Sequence, residues 1–195
     1  MRLIGLTGGI GMGKSTASAA FRRAHLPVFD ADAEVHKLQA KGGAALPAIS
    51  AAFPGTVEGG VLNRAALREI VLAEKTELRK LERILHPRIR AAEQKFLARA
   101  RAAGARVAIL DIPLLFEGRG DKRVDEVVVV SAPRDVQIVR VRARGKMSPE
   151  QIAAVIARQM PDAEKRRRAD HVVRTGLSRF HALRSLKRLI REWRA

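Results

Sequence analysis

The chain has 195 residues, with 38 lysines and arginines against 20 aspartates and glutamates, which gives a formal net charge of +18. Its 47% hydrophobic and 30% charged residues argue against a disordered chain, and no apolar run approaches the roughly 20 residues of a membrane span. Cysteine is absent, which excludes disulfides and zinc–thiolate sites, and the first residues do not form a signal peptide, so we expect a cytoplasmic protein.

The first half of the chain predicts strands that alternate with helices. Strands are expected at 2–6 and 26–29, followed by helices at 14–24 and 33–40. Glycines and prolines then mark turns around a short alanine-rich helix, with a boundary near Gly42. Three helices follow, at 63–72 capped by Asn63, at 74–85, and from Pro87 to about 103. Three successive helices indicate a helical subdomain, 42–103, inserted into a core of 1–41 and 104–195.

The second half of the chain returns to the alternating pattern. Strands are expected at 106–110, at 126–130 with four consecutive valines, and at 171–173. Helices are expected at 134–144, from the Ser148 cap to Met160, and at 177–193 with Phe180 facing inward. This pattern predicts an α/β protein with a five-stranded parallel sheet flanked by helices.

A glycine-rich stretch, GLTGGIGMGKST, lies between the first strand and the first helix. It matches the phosphate-binding pattern G-x-x-x-x-G-K-[ST] residue for residue. Glycines adopt positive φ at low cost, so successive backbone amides can converge on phosphate oxygens at the helix N-terminus. Lys14 supplies a full positive charge and Ser15 an oxygen for Mg²⁺. A plain glycine-rich turn is the alternative. The expected ATP contacts are Gly8, Gly9, Gly11, Met12, Gly13, Lys14, Ser15 and Thr16.

The ordered set of motifs resembles the dephospho-coenzyme A kinase family over nearly the whole chain. The shared segments are GLTGGIGMGKST, VFDAD at 28–32, LHPRI at 85–89, DIPLLFE at 111–117, Gln137 with Arg140, and Gln159 with the later Ala169-Asp170. The resemblance implies ATP-dependent phosphorylation of the ribose 3′-hydroxyl of dephospho-coenzyme A, which is the final step of coenzyme A synthesis. It also implies a P-loop core like that of nucleoside-monophosphate kinases, a helical substrate domain and a mobile lid, placed at about 141–165.

Two acidic positions follow predicted strands, at the edge where parallel sheets bind ligands. Asp32 is expected to orient the attacking hydroxyl and accept its proton as the catalytic base. Asp30 is the other candidate, or it could cap the next helix, and the family resemblance favours Asp32. Asp111 is expected to reach Mg²⁺ directly or through water, with a strand-ending turn residue as the alternative.

Arg140 and Arg144 are four residues apart on a predicted helix, so they share one face. Like charges at this spacing repel, and an anion between them removes the repulsion. We expect them to contact the ATP phosphates as lid arginines, Arg140 with a catalytic role as well. A solvated basic face is the alternative. One position departs from the family pattern, because Thr175 stands where an asparagine is common, which puts any base contact there in doubt.

Four further residues are expected to contact the dephospho-coenzyme A substrate. Leu114 and Leu115 form an apolar run in a predicted loop and suit the adenine or pantetheine parts, although simple packing explains them nearly as well. His86 precedes a proline, which favours an extended residue at a helix start, and the family resemblance places it in the substrate region. Arg90, with Arg64 and Arg88, is a candidate for binding the substrate's own phosphates.

Two other functions remain as alternatives. Another small-molecule kinase with the same core is the closer one, and the DIPLLFE segment argues against it. A nucleic-acid-binding ATPase is suggested by the charge, but the basic residues are spread out and aromatic residues amount to only 4%. We therefore expect ATP and dephospho-coenzyme A as partners, no nucleic acid and no membrane, and a monomer or small homo-oligomer.

Overall fold

The computed structural model describes residues 1–145 and 147–194. The strands, in chain order, are β1 (Arg2–Thr7), β2 (Val28–Asp30), β3 (Val57–Glu58), β4 (Val61–Leu62), β5 (Val107–Asp111), β6 (Glu126–Ser131) and β7 (His171–Arg174). The helices are α1 (Lys14–Arg23), α2 (Ala31–Leu38), α3 (Leu46–Ala52), α4 (Arg64–Ala73), α5 (Lys75–Ala102), α6 (Arg134–Arg142), α7 (Pro149–Arg158), α8 (Asp162–Arg168) and α9 (Arg179–Arg194).

A parallel sheet organises one compact unit, formed by Met1–Asp30 and Ala100–Ala195. Within the described residues it has five strands in the order β2-β5-β1-β6-β7, which confirms the predicted fold class. The valines of β6 are buried, and α1 and α9 cover one face of the sheet, where the rings of Phe21 and Trp193 lie 5.7 Å apart. In β2 and β5 the register pairs Asp30 with Asp111, so both strands end in a carboxylate at the same edge.

The second compact unit, Ala31–Arg99, is mostly helical and contains the β3–β4 hairpin, which the sequence pattern did not predict. Its core includes Leu46, Ile49 and Phe53. We expected the inserted subdomain to begin near residue 42, but this unit begins at Ala31. The reason is that Val35 and Leu38 of α2 pack into its core.

Helix α5 runs without interruption through Pro87, so the two helices expected at 74–85 and 87–103 are one. The prediction of an extended His86 was wrong, because this residue lies in the interior of α5. A proline there removes one backbone hydrogen bond and costs about 3 kcal/mol. Burial of Leu85 with the partly buried Ile89 offsets that cost, and Arg88 Nη1 donates to the Ile84 carbonyl oxygen at 2.7 Å.

Other boundaries differ by a few residues. Helix α6 ends at Arg142, and α8 begins directly after Pro161, where no helix was predicted. Phe180 is 75% exposed in the first turn of α9, so its predicted inward position was wrong. Ser148 caps α7 as predicted, and it forms a capping box in which Ser148 and Gln151 exchange hydrogen bonds. Across the described residues, no helix is both long and apolar enough to cross a membrane.

Candidate active site

The glycine-rich loop joins the carboxyl end of β1 to the first turn of α1. Gly11 and Gly13 have φ of 74° and 92°, in the left-handed region that favours glycine. At Gly8 a Cβ atom would lie 2.4 Å from Val130 Cγ2, so only glycine lets the loop approach β6 this closely. The Gly13 carbonyl accepts from the amides of Thr16 and Ala17, which starts α1. The loop therefore presents the free N-terminus of a helix, a favourable place for phosphate.

Lys14 and Asp111 meet beside this loop. Lys14 Nζ lies 2.7 Å from Asp111 Oδ1, and Asp111 is only 2% exposed. Burial raises the pKa of Asp111, and contacts with Lys14 and Ser18 oppose that rise without cancelling it. Ser15 is exposed in the first turn of α1. The structure thus brings Lys14 into direct contact with the predicted metal ligand Asp111.

Thr175 connects the loop to α6 and is 6% exposed. Its hydroxyl donates to the Met12 carbonyl oxygen at 2.7 Å and accepts from Arg140 Nη1 at 3.1 Å. Arg140 Nη2 also donates to the Thr175 carbonyl oxygen at 2.7 Å. The residue that departs from the family pattern is therefore a buried link between Arg140 and the phosphate loop.

A cavity of about 420 Å³ opens beside the start of α1. Both predicted lid arginines, Arg140 and Arg144, line it. The other polar lining residues are Ser15, Thr16, Thr175 and Arg179, and Gly11 and Gly13 complete the loop side. The cavity therefore joins the arginines to the loop residues expected to bind ATP.

Two predicted contact residues use their side chains for packing instead. Met12 is buried, and its Sδ accepts a hydrogen bond from the Ala132 amide at 3.0 Å, so its side chain does not face a ligand. Leu115 is fully buried in a core cluster with Phe116 and Val129, so its side chain does not face a substrate. Leu114 is 49% exposed and remains available.

The other predicted substrate residues lie in the helical unit. Asp32 is exposed in the first turn of α2. His86 and Arg90 are both exposed on α5, four residues apart and hence on one helix face. Arg64 Nη1 lies 2.7 Å from His36 Nδ1 in the same unit.

Two residues beside the loop, Ser15 and Asp111, carry oxygen atoms that could bind a metal ion. The described residues contain no group of three or more histidines, aspartates and glutamates that could hold a metal. Mg²⁺ does not need such a cage, because it commonly uses one or two protein oxygens together with water and substrate phosphates. The Ser15 hydroxyl and the Asp111 carboxylate supply that number of oxygens, and the raised pKa of buried Asp111 marks a carboxylate whose charge is not fully compensated. These residues fit Mg²⁺.

A parallel sheet of this order, carrying the phosphate loop after its central strand and an aspartate at the end of β5, defines a P-loop nucleotide-binding protein. A crystal structure from Thermus thermophilus is similar, with a TM-score of 0.86 and 36% identity over 98% of this chain and 97% of that one. A dephospho-CoA kinase from Campylobacter jejuni shares the fold, with a TM-score of 0.73 and 24% identity over 98% and 97% of the two chains.

The family model for dephospho-CoA kinase matches residues 2–178. The dephospho-CoA kinase of Rhodopseudomonas palustris strain HaA2 is 52% identical over 192 residues, which are 98% of this chain and 94% of that protein. The chain belongs to the dephospho-CoA kinase family, as its sequence motifs indicated. It is an ATP-dependent phosphotransferase of the last step of coenzyme A synthesis.

Proposed function

We propose that this chain transfers the γ-phosphoryl group of ATP to the 3′-hydroxyl of dephospho-coenzyme A, with Lys14 and the loop 8–16 as the triphosphate site. The observation that carries this proposal is the Lys14–Asp111 contact of 2.7 Å beside a helix N-terminus. An ammonium group held by a single carboxylate can exchange part of that contact for phosphate oxygens. The transferring group spreads negative charge over its oxygens in the transition state, which a fixed cation stabilises.

The cavity beside α1 suits the rest of the nucleotide. Arg140 is held by Thr175, so its charge is positioned before any ligand arrives. Arg144 is exposed at the same cavity and is free to close on the phosphates. A preset arginine pays less ordering entropy when it binds an anion than a mobile one does. We assign residues 141–165 as the lid, and α7 lies within it.

The residues proposed to contact the acceptor are those that the sequence singled out. Asp32 would orient the 3′-hydroxyl and take its proton as the bond to phosphorus forms, which requires an accessible carboxylate. His86 and Arg90, exposed on one face of α5, would contact the anionic groups of the substrate. Leu114 would contact an apolar part of the substrate.

Ser15 and Asp111 would hold Mg²⁺ together with phosphate oxygens of ATP. When bound, the ion neutralises charge on the β- and γ-phosphates. Burial disfavours the charged form of the Asp111 carboxylate, so binding of a cation beside it would be favourable.

The test is release of ADP in a coupled assay with dephospho-coenzyme A as the acceptor. Coenzyme A is a matched control, because its 3′-position already carries the phosphate. We expect ADP release with dephospho-coenzyme A and only background release with coenzyme A, and loss of activity when Mg²⁺ is chelated. Equal release with both compounds would mean ATP hydrolysis rather than transfer. Stimulation by DNA or RNA would favour the nucleic-acid-dependent ATPase instead.

A further inference from the structure

The tip of the phosphate loop is held from outside by two side-chain carboxamides. Gln137 Nε2 donates to the Ile10 carbonyl oxygen at 2.8 Å, and Gln159 Oε1 accepts from the Ile10 amide at 3.1 Å. Gln137 is buried on α6, and Gln159 is the C-cap of α7. The amide belongs to the Gly9–Ile10 peptide and the carbonyl to the Ile10–Gly11 peptide. The two glutamines therefore fix two consecutive peptide planes.

Gly9 has the geometry that this arrangement requires. A Cβ atom there would lie 3.2 Å from Gln137 Nε2 and also 3.2 Å from Gln159 Oε1. The φ of Gly9 is outside the left-handed region, so its backbone conformation is open to other residues. Glycine at this position therefore leaves space for the two carboxamides, and a left-handed backbone conformation is not the reason for it.

Gln159 is itself held by the next residue. The Met160 amide donates to Glu117 Oε1 at 2.9 Å, and the Lys165 ammonium, 1% exposed, lies 2.8 Å from the same oxygen. Burial raises the pKa of Glu117, but the contacts with Lys165 and the Met160 amide outweigh this and lower it overall. The Glu117 carboxylate therefore ties the loop after β5 to the junction between α7 and α8. Through that junction it fixes the position from which Gln159 reaches Ile10.

We propose that Gln137 and Gln159 are positioning residues that preset the phosphate loop for the β- and γ-phosphates of ATP. The inference rests on the proposed function of the loop. Gly9 and Gly11 flank Ile10 and leave the backbone free to rotate, so an unsupported tip would have to be ordered when the triphosphate binds. The two carboxamides order the tip when the protein folds, so this conformational entropy is not lost again when ATP binds. Their loss should weaken ATP far more than AMP, which lacks the β- and γ-phosphates.

The test compares Gln159→Met and Gln137→Met with Asn63→Leu. Methionine keeps the length of the side chain and removes both the donor and the acceptor. Asn63 is a matched control, because its carboxamide also bonds a backbone amide, that of Ala66 at 3.1 Å, but at the start of α4 in the helical unit, and leucine is close to asparagine in shape. Dissociation constants for ATP and for AMP, Michaelis constants and melting temperatures are measured on the full chain.

We expect Gln159→Met to raise the ATP dissociation constant about fivefold to tenfold, the factor typical of one lost hydrogen bond, while the AMP constant stays within twofold. The KM for ATP should rise more than kcat falls, and Asn63→Leu should lower the melting temperature but leave the ATP dissociation constant within twofold. Gly9→Ala should reproduce the selective loss. If Gln137→Met does not fold, the ATP and AMP dissociation constants of Gln159→Met and Gly9→Ala test the inference.

Equal weakening of ATP and AMP, or unchanged ATP affinity in Gln159→Met, would overturn the inference. In both comparisons the reference is the wild-type protein, which is expected to bind ATP and to phosphorylate dephospho-coenzyme A. Failure of the wild type in those two assays would instead reject the proposed function, so the two failures are distinguishable.

Discussion

Replacing Thr175 with valine removes one hydroxyl from the contact between the phosphate loop and Arg140 and keeps nearly the same shape. In the wild type this buried hydroxyl donates to the Met12 carbonyl oxygen at 2.7 Å and accepts from Arg140 at 3.1 Å. The variant leaves the buried Met12 carbonyl without that donor. Arg140 retains its bond to the Thr175 carbonyl oxygen at 2.7 Å, so its guanidinium loses only one of the two bonds to this residue.

The magnitude follows from these contacts. A buried acceptor that loses its donor costs about 1–3 kcal/mol, and the arginine adds little because it keeps a partner. We take about 2 kcal/mol for Thr175→Val. In a protein of 150–250 residues each kcal/mol lowers the melting temperature by about 2–4 °C, so the expected shift is about 4–8 °C. The KM for ATP should also rise several-fold, because Met12 lies in the loop proposed to bind the triphosphate.

The assay is thermal unfolding followed by circular dichroism, with ATP titrations of the wild type, Thr175→Val and Thr175→Ser. Serine keeps the hydroxyl and loses the methyl group that packs toward Gly13. We expect the serine variant to lose some stability and to keep the wild-type KM. A valine variant that melts within about 1 °C of the wild type would refute the reasoning, as that shift corresponds to under about 0.5 kcal/mol. An equal rise of KM in both variants would assign the effect to packing and not to the hydroxyl.

Three further predictions concern charges. Lys14→Ala should reduce kcat at least about 100-fold, because the loop loses its fixed cation; near-normal turnover would exclude a role in transfer. Asp32→Asn should lower kcat about 100-fold or more and leave the ATP dissociation constant within twofold, and a small effect on kcat would remove it as the base. The pKa of Glu117 is lowered below its ordinary 4.5, so its pairing with Lys165 stabilises the fold above that pH and is lost as the pH falls through the lowered value. Urea unfolding between pH 3 and pH 6 should therefore show a shallower acid decline in Glu117→Gln, and identical slopes would contradict this.

Much of the fold could be predicted because its signals are local. The valine run of β6 marks a strand buried on both faces, and it is one. The phosphate loop follows from one short motif, since positive φ at Gly11 and Gly13 is a property of single residues and Lys14 and Ser15 come directly after them. The Ser148 cap of α7 could be predicted for the same reason, because its partner Gln151 lies within one helical turn.

Predictions failed where tertiary packing overrides a local preference. Pro87 indicates a helix start by its own chemistry, yet α5 continues through it because Leu85 and Ile89 are held in the core of the helical unit. Leu115 is apolar in a loop, and nothing in its neighbours distinguishes a ligand contact from a core residue. Only the structure shows that it packs with Phe116 and Val129.

The contacts that position the phosphate loop were beyond sequence patterns for another reason. Thr175 and Met12 are separated by 163 residues, and Gln159 and Ile10 by 149. A hydroxyl or a carboxamide carries no mark of its distant partner in a single sequence, because many such side chains are simply solvated. The resemblance to a family singled out Gln137 and Gln159 as residues, but it did not predict that they bond the backbone of Ile10.

Asp111 shows why the site departs from the rules that govern the rest of the sheet. A carboxylate at the end of an apolar strand is expected at a solvated turn, yet this one is 2% exposed and its pKa is raised by burial despite the Lys14 contact. Because burial raises its pKa above the ordinary 3.8, such a group lowers the stability of the ligand-free fold at pH values above that ordinary pKa. The residue best suited to a core position here would be apolar. A buried carboxylate beside a lysine, with its charge incompletely compensated, is therefore better explained by binding of a charged ligand than by a contribution to folding. Ligand sites are where local sequence rules are expected to fail.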